Sequence, residues 1–164
     1  MKRKRRTFIM MLTEKQKDLI KDLQTQENLC IEKYGHYQSL AKDTELKDLF
    51  GSLKKEEEQH LNSLTQLLSG TCPSVDTKDN SGMLYNPTAS YTGSFKQEDK
   101  DFDKFLCTDC IATEKYVSST YNDQLFQFAE PQVRRLFNDI QTEEQNHAEK
   151  IYKYKTVNKM TESA

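Results

Sequence analysis

The sequence predicts an all-α fold, an antiparallel four-helix bundle of two helix hairpins joined by one long crossover. Three observations predict it. Breakers are scarce, with 5 Gly and 3 Pro in 164 residues, while Leu, Lys, Glu and Gln are plentiful. Apolar residues recur at helical spacing in four long segments. A block from the second segment, Leu49-Phe-x-x-Leu-x-x-Glu-Glu-x-x-His60, returns in the fourth as Leu136-Phe-x-x-Ile-x-x-Glu-Glu-x-x-His147.

Thr13 and Gln16 form the Thr-x-x-Gln pattern of a capping box and open the first helix. Its stripe is Leu19/Ile20, Leu23, Glu27, Cys30/Ile31, Tyr34, Tyr37 and Ala41. Asp43-Thr44 is polar and cap-like, so a tight turn leads into the second helix. The second stripe is Leu46, Leu49/Phe50, Leu53, Glu57, His60/Leu61, Leu64 and Leu67/Leu68, and Gly70 stands where a helix-ending glycine belongs. Residues 71–97 are rich in Thr, Ser, Gly, Asn, Pro and Tyr and show no helical period. They form the crossover. The third helix is expected from about Asp99 to Phe128, with Phe102, Phe105/Leu106, Asp109, Thr113, Tyr116 and Thr120 on its inner face. Pro131 suits the first position of the fourth helix, whose stripe is Val133, Leu136/Phe137, Ile140, Glu144, His147, Ile151 and Tyr154.

Each half is too thin to hold its own core, so residues 12–156 form one domain. Short turns make neighbouring helices antiparallel, and a single long crossover makes the second and third parallel. That connectivity is ferritin-like. Residues 157–164 are expected to fray. Residues 1–11 read as a disordered extension, with Met10 or Met11 as alternative starts. The extension opens with the basic run Lys2–Arg6, but its apolar stretch is too short for a secretory signal. The chain is therefore expected not to be secreted. No run reaches the ~20 apolar residues of a membrane span. A basic arm that attracts nucleic acid or a membrane is the alternative reading of the extension, but the later start is favoured and no nucleic-acid partner is expected. The four cysteines, Cys30, Cys72, Cys107 and Cys110, are expected as reduced thiols. Cys107-Thr-Asp-Cys110 has no second such pair to complete a zinc site.

Glu57 and His60 are three apart and share a helical face. That face is the apolar stripe between Leu53 and Leu64. Glu144 and His147 repeat the arrangement between Ile140 and Ile151. Glu27 and Asp109 take stripe positions on the other two helices. The predicted metal ligands are thus Glu27, Glu57, His60, Asp109, Glu144 and His147. Four carboxylates in a low-dielectric core repel one another, and each costs several kcal/mol, on the order of a buried unpaired ion, unless compensated. No Lys or Arg lies on these stripes. A pair of divalent cations compensates the charge, and carboxylates with one imidazole per metal suit iron or manganese. The competing reading is a decayed site holding protonated acids and water. Glu32 and Glu114 match between the halves but are expected to turn outward as surface or helix–helix contacts. Tyr34 and Tyr116 are expected in the core, and His36 at the surface.

Several segments together resemble the spore coat protein F family: Leu12-Thr-Glu-Lys-Gln16, Glu27-Asn-Leu-Cys-Ile-Glu-Lys-Tyr34, Glu57-Glu-Gln-His60-Leu61, Thr113-Glu-Lys-Tyr-Val-Ser-Ser-Thr-Tyr121 and Glu143-Glu-Gln-Asn-His147. The spacing of Glu27 and Tyr34 is also similar to the first helix of rubrerythrins. The first resemblance implies a ferritin-like protein of an endospore-forming bacterium. It further implies production in the mother-cell cytoplasm, assembly into the spore coat, and partners that are other coat proteins or further copies of the chain. Under it, Tyr85 and Tyr91 in the crossover are candidate cross-linking sites. The alternative function is a di-iron or di-manganese oxidoreductase, a rubrerythrin- or catalase-like enzyme acting on peroxide or oxygen. That alternative lacks the four-cysteine electron donor of rubrerythrins. An iron-storage cage lacks the expected fifth helix after Thr156.

Overall fold

The computed structural model describes residues 9–75 and 79–162. Its helices are α1 (Glu14–Leu40), α2 (Thr44–Leu68), a single turn α3 (Ser81–Leu84), α4 (Gln97–Gln124) and α5 (Pro131–Val157). The fold is all-α, with no strand among the described residues.

Cap residues set the helix ends. Thr13 Oγ1 accepts the Gln16 amide at 3.2 Å, and the Gln16 side chain accepts the Thr13 amide at 3.0 Å. Such a cap contributes about 1 kcal/mol. Asp43 accepts the Glu45 amide at the start of α2. Gly70 closes α2 at φ +89°, a left-handed conformation that glycine adopts without strain. Its carbonyl accepts the Met10 amide at 2.8 Å, and a Cβ on Gly70 would stand 2.8 Å from Ile9 Cγ2. Ile9 and Met10, within the expected extension, therefore lie against the end of α2. Residues 1–8 fall outside the described residues.

The turn Ala41–Asp43 folds α1 back along α2. A 3-10 turn, Leu125–Gln127, and Pro131 do the same for α4 and α5. The two pairs meet through α1 with α4 and α2 with α5. Across the first meeting Tyr34 reaches Glu114 while Glu27 reaches Tyr121. Across the second, His60 reaches Glu143 while His147 reaches Glu56. Both orders are reversed, so adjacent helices are antiparallel, and α2 and α4 run the same way.

The core has two apolar halves. One gathers Ile20, Leu23, Leu64, Leu67, Val133 and Phe137. The other gathers Leu46, Phe50, Leu53, Leu106, Ile151 and Tyr154. A fully buried side chain of this kind contributes about 1.5–3 kcal/mol. Between the halves, the inward positions carry only ionisable groups.

The third long helix is rotated from the expectation. The buried face of α4 is Asp103, Leu106, Cys107, Cys110, Glu114, Val117 and Tyr121. Phe105 and Tyr116 are exposed, at 62% and 66%. Aromatic rings drew the expected face toward Phe102, Phe105 and Tyr116, but the thiols of Cys107 and Cys110 fill the tight space against the other helices. All four cysteines are free.

The crossover is tied down along α5 rather than loose. Asn146 donates to Asp79 at 3.0 Å, and Lys153 donates to the carbonyls of Gly82, Met83 and Tyr85. Asn158 Oδ1 accepts the amides of Ser90 and Tyr91 at 2.8 and 3.0 Å. Tyr85 and Tyr91 are half-buried against the second core half rather than exposed. The described tail is packed as well: Asn158 and Met160 are buried, because Asn158 serves the crossover and Met160 joins the core.

Asp103, fully buried, locks three segments together. It accepts the Lys42 amide at 2.8 Å, the Asp43 amide at 2.9 Å and the Tyr91 hydroxyl at 2.6 Å. Asp103→Ala strands those donors and is expected to lose about 2–4 kcal/mol of stability, read as a lower urea midpoint at unchanged slope. A midpoint equal to that of the unchanged protein would show that the lock is dispensable.

Candidate metal centre

Helical spacing places two side chains of each hairpin's second helix on the inner face: Glu57 and His60 from α2, Glu144 and His147 from α5. The first helix of each hairpin adds one carboxylate, Glu27 from α1 and Glu114 from α4. All six are at most 2% exposed.

They form two groups. Glu27, Glu57, His60 and Glu144 offer ligand atoms within 4.8 Å of one another, as do Glu57, Glu114, Glu144 and His147. Glu57 and Glu144 belong to both groups. The two imidazoles lie nearly parallel, with centroids 5.6 Å apart. His60 Nδ1 is 3.1 Å from Glu57, 3.2 Å from Glu144 and 3.6 Å from Glu27. His147 Nδ1 is 3.2 Å from Glu57 and 3.5 Å from both Glu114 and Glu144.

The outer nitrogens meet a second layer of carboxylates. His60 Nε2 pairs with Glu143 at 2.5 Å, and His147 Nε2 with Glu56 at 2.8 Å. Lys150 holds Glu56 at 3.0 and 3.2 Å. A ring that donates its Nε2 proton outward presents the Nδ1 lone pair inward, which is how a histidine is oriented as a metal ligand. The Tyr34 hydroxyl donates to Glu114 and the Tyr121 hydroxyl to Glu27. Each phenol fixes one carboxylate oxygen and leaves the other facing the centre.

His60 Nδ1 is bonded to Glu57 Oε2 at 3.1 Å, but most of the other inward atoms lack hydrogen bonds. Glu27 Oε2, Glu57 Oε1, Glu114 Oε2, both Glu144 oxygens and His147 Nδ1 are buried without a hydrogen-bond partner. Buried polar atoms in that state are rare, and here they converge. The donor set could hold two cations, one in each group, with Glu57 and Glu144 between them.

Protonation shows the same frustration. Burial is the main cause that pushes Glu27 up to about 7, with Glu57 adding to it and His60 opposing. Burial, then Glu57 and Glu114, raise Glu144 well above the usual carboxylate range. Burial opposes the charged form of Glu57 too, but His147 and His60 outweigh it and bring Glu57 down. Both imidazoles are raised: burial works against their charge, but Glu143 and Glu144 overcome it at His60, and Glu114 and Glu57 at His147. Glu56 is brought down to about 2, since His147 and Lys150 outweigh its burial. Protons and metal ions therefore compete for the same inward atoms.

Five of the six ligands expected from sequence are brought together: Glu27, Glu57, His60, Glu144 and His147. Asp109 is not among them. It is partly exposed and bound to Lys33 at 2.6 Å and to the Tyr37 hydroxyl at 2.8 Å, on the outside between α1 and α4. Glu114, expected to face outward, takes the position instead, and Tyr121 replaces Tyr116 as the core tyrosine. The repeated Glu-Lys-Tyr of Glu32–Tyr34 and Glu114–Tyr116 suggests the wrong register for these helices. One constant spacing relates Glu27 to Glu114, Tyr34 to Tyr121, Glu57 to Glu144, His60 to His147 and Glu56 to Glu143. That single spacing is the signal in the sequence that locates Glu114. Glu56 and Glu143 share that spacing, but which imidazole each one meets, and the part Lys150 plays, appear only once the helices are packed.

The half of the chain that holds Glu114, Glu144 and His147 also carries a family match. Residues 103–160 match the Coat F domain. The match supports the spore coat protein F family. It begins at Asp103, the lock on the α1–α2 turn, and ends at Met160, which closes the core. No curated protein and no solved structure matches the chain. The Coat F segment covers most of the α4–α5 hairpin, from Asp103 within α4 onward, and Glu27, Glu57 and His60 lie outside it.

The pH dependence of the metal-free protein follows from these shifts. A carboxyl raised from 4.5 to about 7, as Glu27 is, supplies stability that is complete below 4.5 and is lost as pH rises through about 7. The raised imidazoles act in the same direction from 6.5 upward. Glu57, being lowered, loses its contribution only toward acid pH. In chelator, melting temperature is expected to fall as pH rises from about 5 to about 8, and saturating manganese(II) is expected to flatten the curve. A flat curve in chelator would contradict the assignment of these protons.

Proposed function

We propose that this chain is a spore coat protein of the Coat F type, a ferritin-like four-helix bundle around a dinuclear iron or manganese centre. The Coat F match supports the coat assignment. The observation that carries the metal centre is the convergence of buried, unpartnered carboxylate oxygens and inward imidazole nitrogens. Glu27 and His60 would hold one ion, Glu114 and His147 the other, with Glu57 and Glu144 shared. All six donors are oxygen or imidazole nitrogen and no thiolate takes part, which favours iron or manganese over a structural zinc.

A bound metal pair would neutralise the buried charge and supply Lewis-acid or redox capacity at its open positions. The protein's own part is to hold the donors and keep them dry. The outer carboxylates Glu143 and Glu56 set the imidazole tautomer, the two tyrosines orient Glu114 and Glu27, and the apolar halves above and below exclude water. The structural role comes first in this reading. Filling the centre ties all four long helices together, so a metal-loaded bundle is a durable building block for a coat, with other coat proteins or further copies of the chain as neighbours. No helix is long and apolar enough to cross a membrane among the described residues. Peroxide- or oxygen-consuming chemistry gains no support from the Coat F match.

Metal analysis of protein purified from sporulating cells tests the centre. About two iron or manganese ions per chain are expected, with both lost in the double variant His60→Ala/His147→Ala. Glu114→Ala is expected to lower the stoichiometry by about one ion, while Asp109→Ala leaves it unchanged. The opposite pattern would return Asp109 to the ligand set. Fractionation of spores tests the location: the chain is expected in the coat fraction, and its confinement to the mother-cell cytosol would reject the coat role.

A further inference from the structure

The two hairpins repeat each other, yet they do not cover the centre equally. A pocket of about 380 Å³ opens between α4 and α5, and Glu114 and Glu144 line it. These are metal-facing carboxylates, at most 1% exposed, and three of their four oxygens have no hydrogen-bond partner. The walls are Ser118, Ser119, Gln145 and Ala148, with Lys115 at the exposed rim. Ser118 and Ala148 are the small residues that leave the carboxylates within reach. The spacing that relates Glu27 to Glu114 and His60 to His147 places Ile31 and Leu61 at the same two positions of the first hairpin. The repeat thus sets bulky residues beside Glu27 and Glu57 in sequence where small ones stand beside Glu114 and Glu144.

We propose that the α4–α5 pocket is the port through which a divalent cation reaches the centre, and that Ser118 and Ala148 keep it open. The inference rests on the dinuclear reading above and adds where the ion passes. The chemistry favours a cation. The floor is two carboxylates in a low-dielectric setting, which attract positive charge and repel anions. The serine hydroxyls and the Gln145 amide can take over waters that the ion sheds. Lys115 stands in solvent, where its charge is largely screened. A second pocket, of about 180 Å³, meets His60 and Glu143 between α2 and α5. Of the centre's six residues it meets only His60, whose outer nitrogen is bound to Glu143, and none of the four central carboxylates lines it.

The port is tested by following manganese(II) uptake of chelator-treated, full-length protein over time, with bound metal counted after rapid desalting. The variant Ser118→Ile/Ala148→Leu carries the first hairpin's residues in the second and is expected to load roughly tenfold slower or more, because the ion must then wait for a local opening of the helices. Its final manganese content is expected to equal that of the unchanged chain. Adding Ile31→Ser/Leu61→Ala to it opens the first hairpin instead and is expected to restore the rate. If the double variant does not fold, Ala148→Leu alone is read in the same way. Unchanged uptake in the sealed variant, or no recovery on opening the first hairpin, overturns the port and leaves the metal centre standing. An unchanged chain that binds no manganese at equilibrium overturns both.

Discussion

The rest of the structure depends on four buried glutamates at mid-height whose negative charge must be compensated. Glu27, Glu57, Glu114 and Glu144 lie where leucines would otherwise complete the core. Their presence splits the apolar interior in two. In the absence of metal, protons and the two imidazoles must carry the compensating charge, which is why carboxyls such as Glu27 and Glu144 are pushed up while the histidines are pushed up with them. A fold that keeps such a cluster gives up apolar contacts at its centre. The separation of roles around the centre, with inward donors left free and outer partners bonded, gives that loss a purpose.

The duplication explains how so small a chain assembles the centre. Each hairpin supplies one Glu from its first helix and one Glu-x-x-His from its second. Neither supplies a complete group: His60 needs Glu144, and His147 needs Glu57. The outer layer is exchanged as well, since Glu56 of α2 serves His147 and Glu143 of α5 serves His60. The tyrosines cross between hairpins in the same manner. Each half is thus held to the other by polar contacts that neither could make alone. Symmetry is broken where Ser118 and Ala148 replace Ile31 and Leu61, and where Lys150, which holds Glu56, has Ser63 as its counterpart.

The crossover has to bring the chain from the Gly70 end of α2 to the start of α4 while leaving the two hairpins in register. It does so with the single turn α3 and a few directional contacts. Lys153 gathers three carbonyls, Asn158 gathers two amides, and Asp103 joins Tyr91 to the α1–α2 turn. None of these contacts has a periodic signature. The crossover therefore reads as loose from composition although it is packed.

The sequence by itself determined the helical class, the approximate limits of the hairpins, the crossover and five of the six buried ionisable residues at the centre. All of these rest on local chemistry: caps at Thr13 and Asp43, the glycine at Gly70, the proline at Pro131, and a Glu-x-x-His at helical spacing inside an apolar stripe. The tertiary structure decided which face of α4 turns inward, and it chose the face that the spacing from Glu27 to Glu114 marks rather than the one marked by the repeated Glu-Lys-Tyr. The buried face carries Leu106, Cys107, Cys110, Val117 and Tyr121, whereas the repeated Glu-Lys-Tyr aligned the helix on the side bearing Asp109 and Tyr116. Packing against α1 and α5 chose the side bearing Glu114 and Tyr121, because only from there can a carboxylate meet Tyr34 and a phenol meet Glu27. The outer partners Glu56, Glu143 and Lys150 were likewise settled in three dimensions. Their roles depend on which helix stands opposite, and helical spacing along one chain carries no information about that.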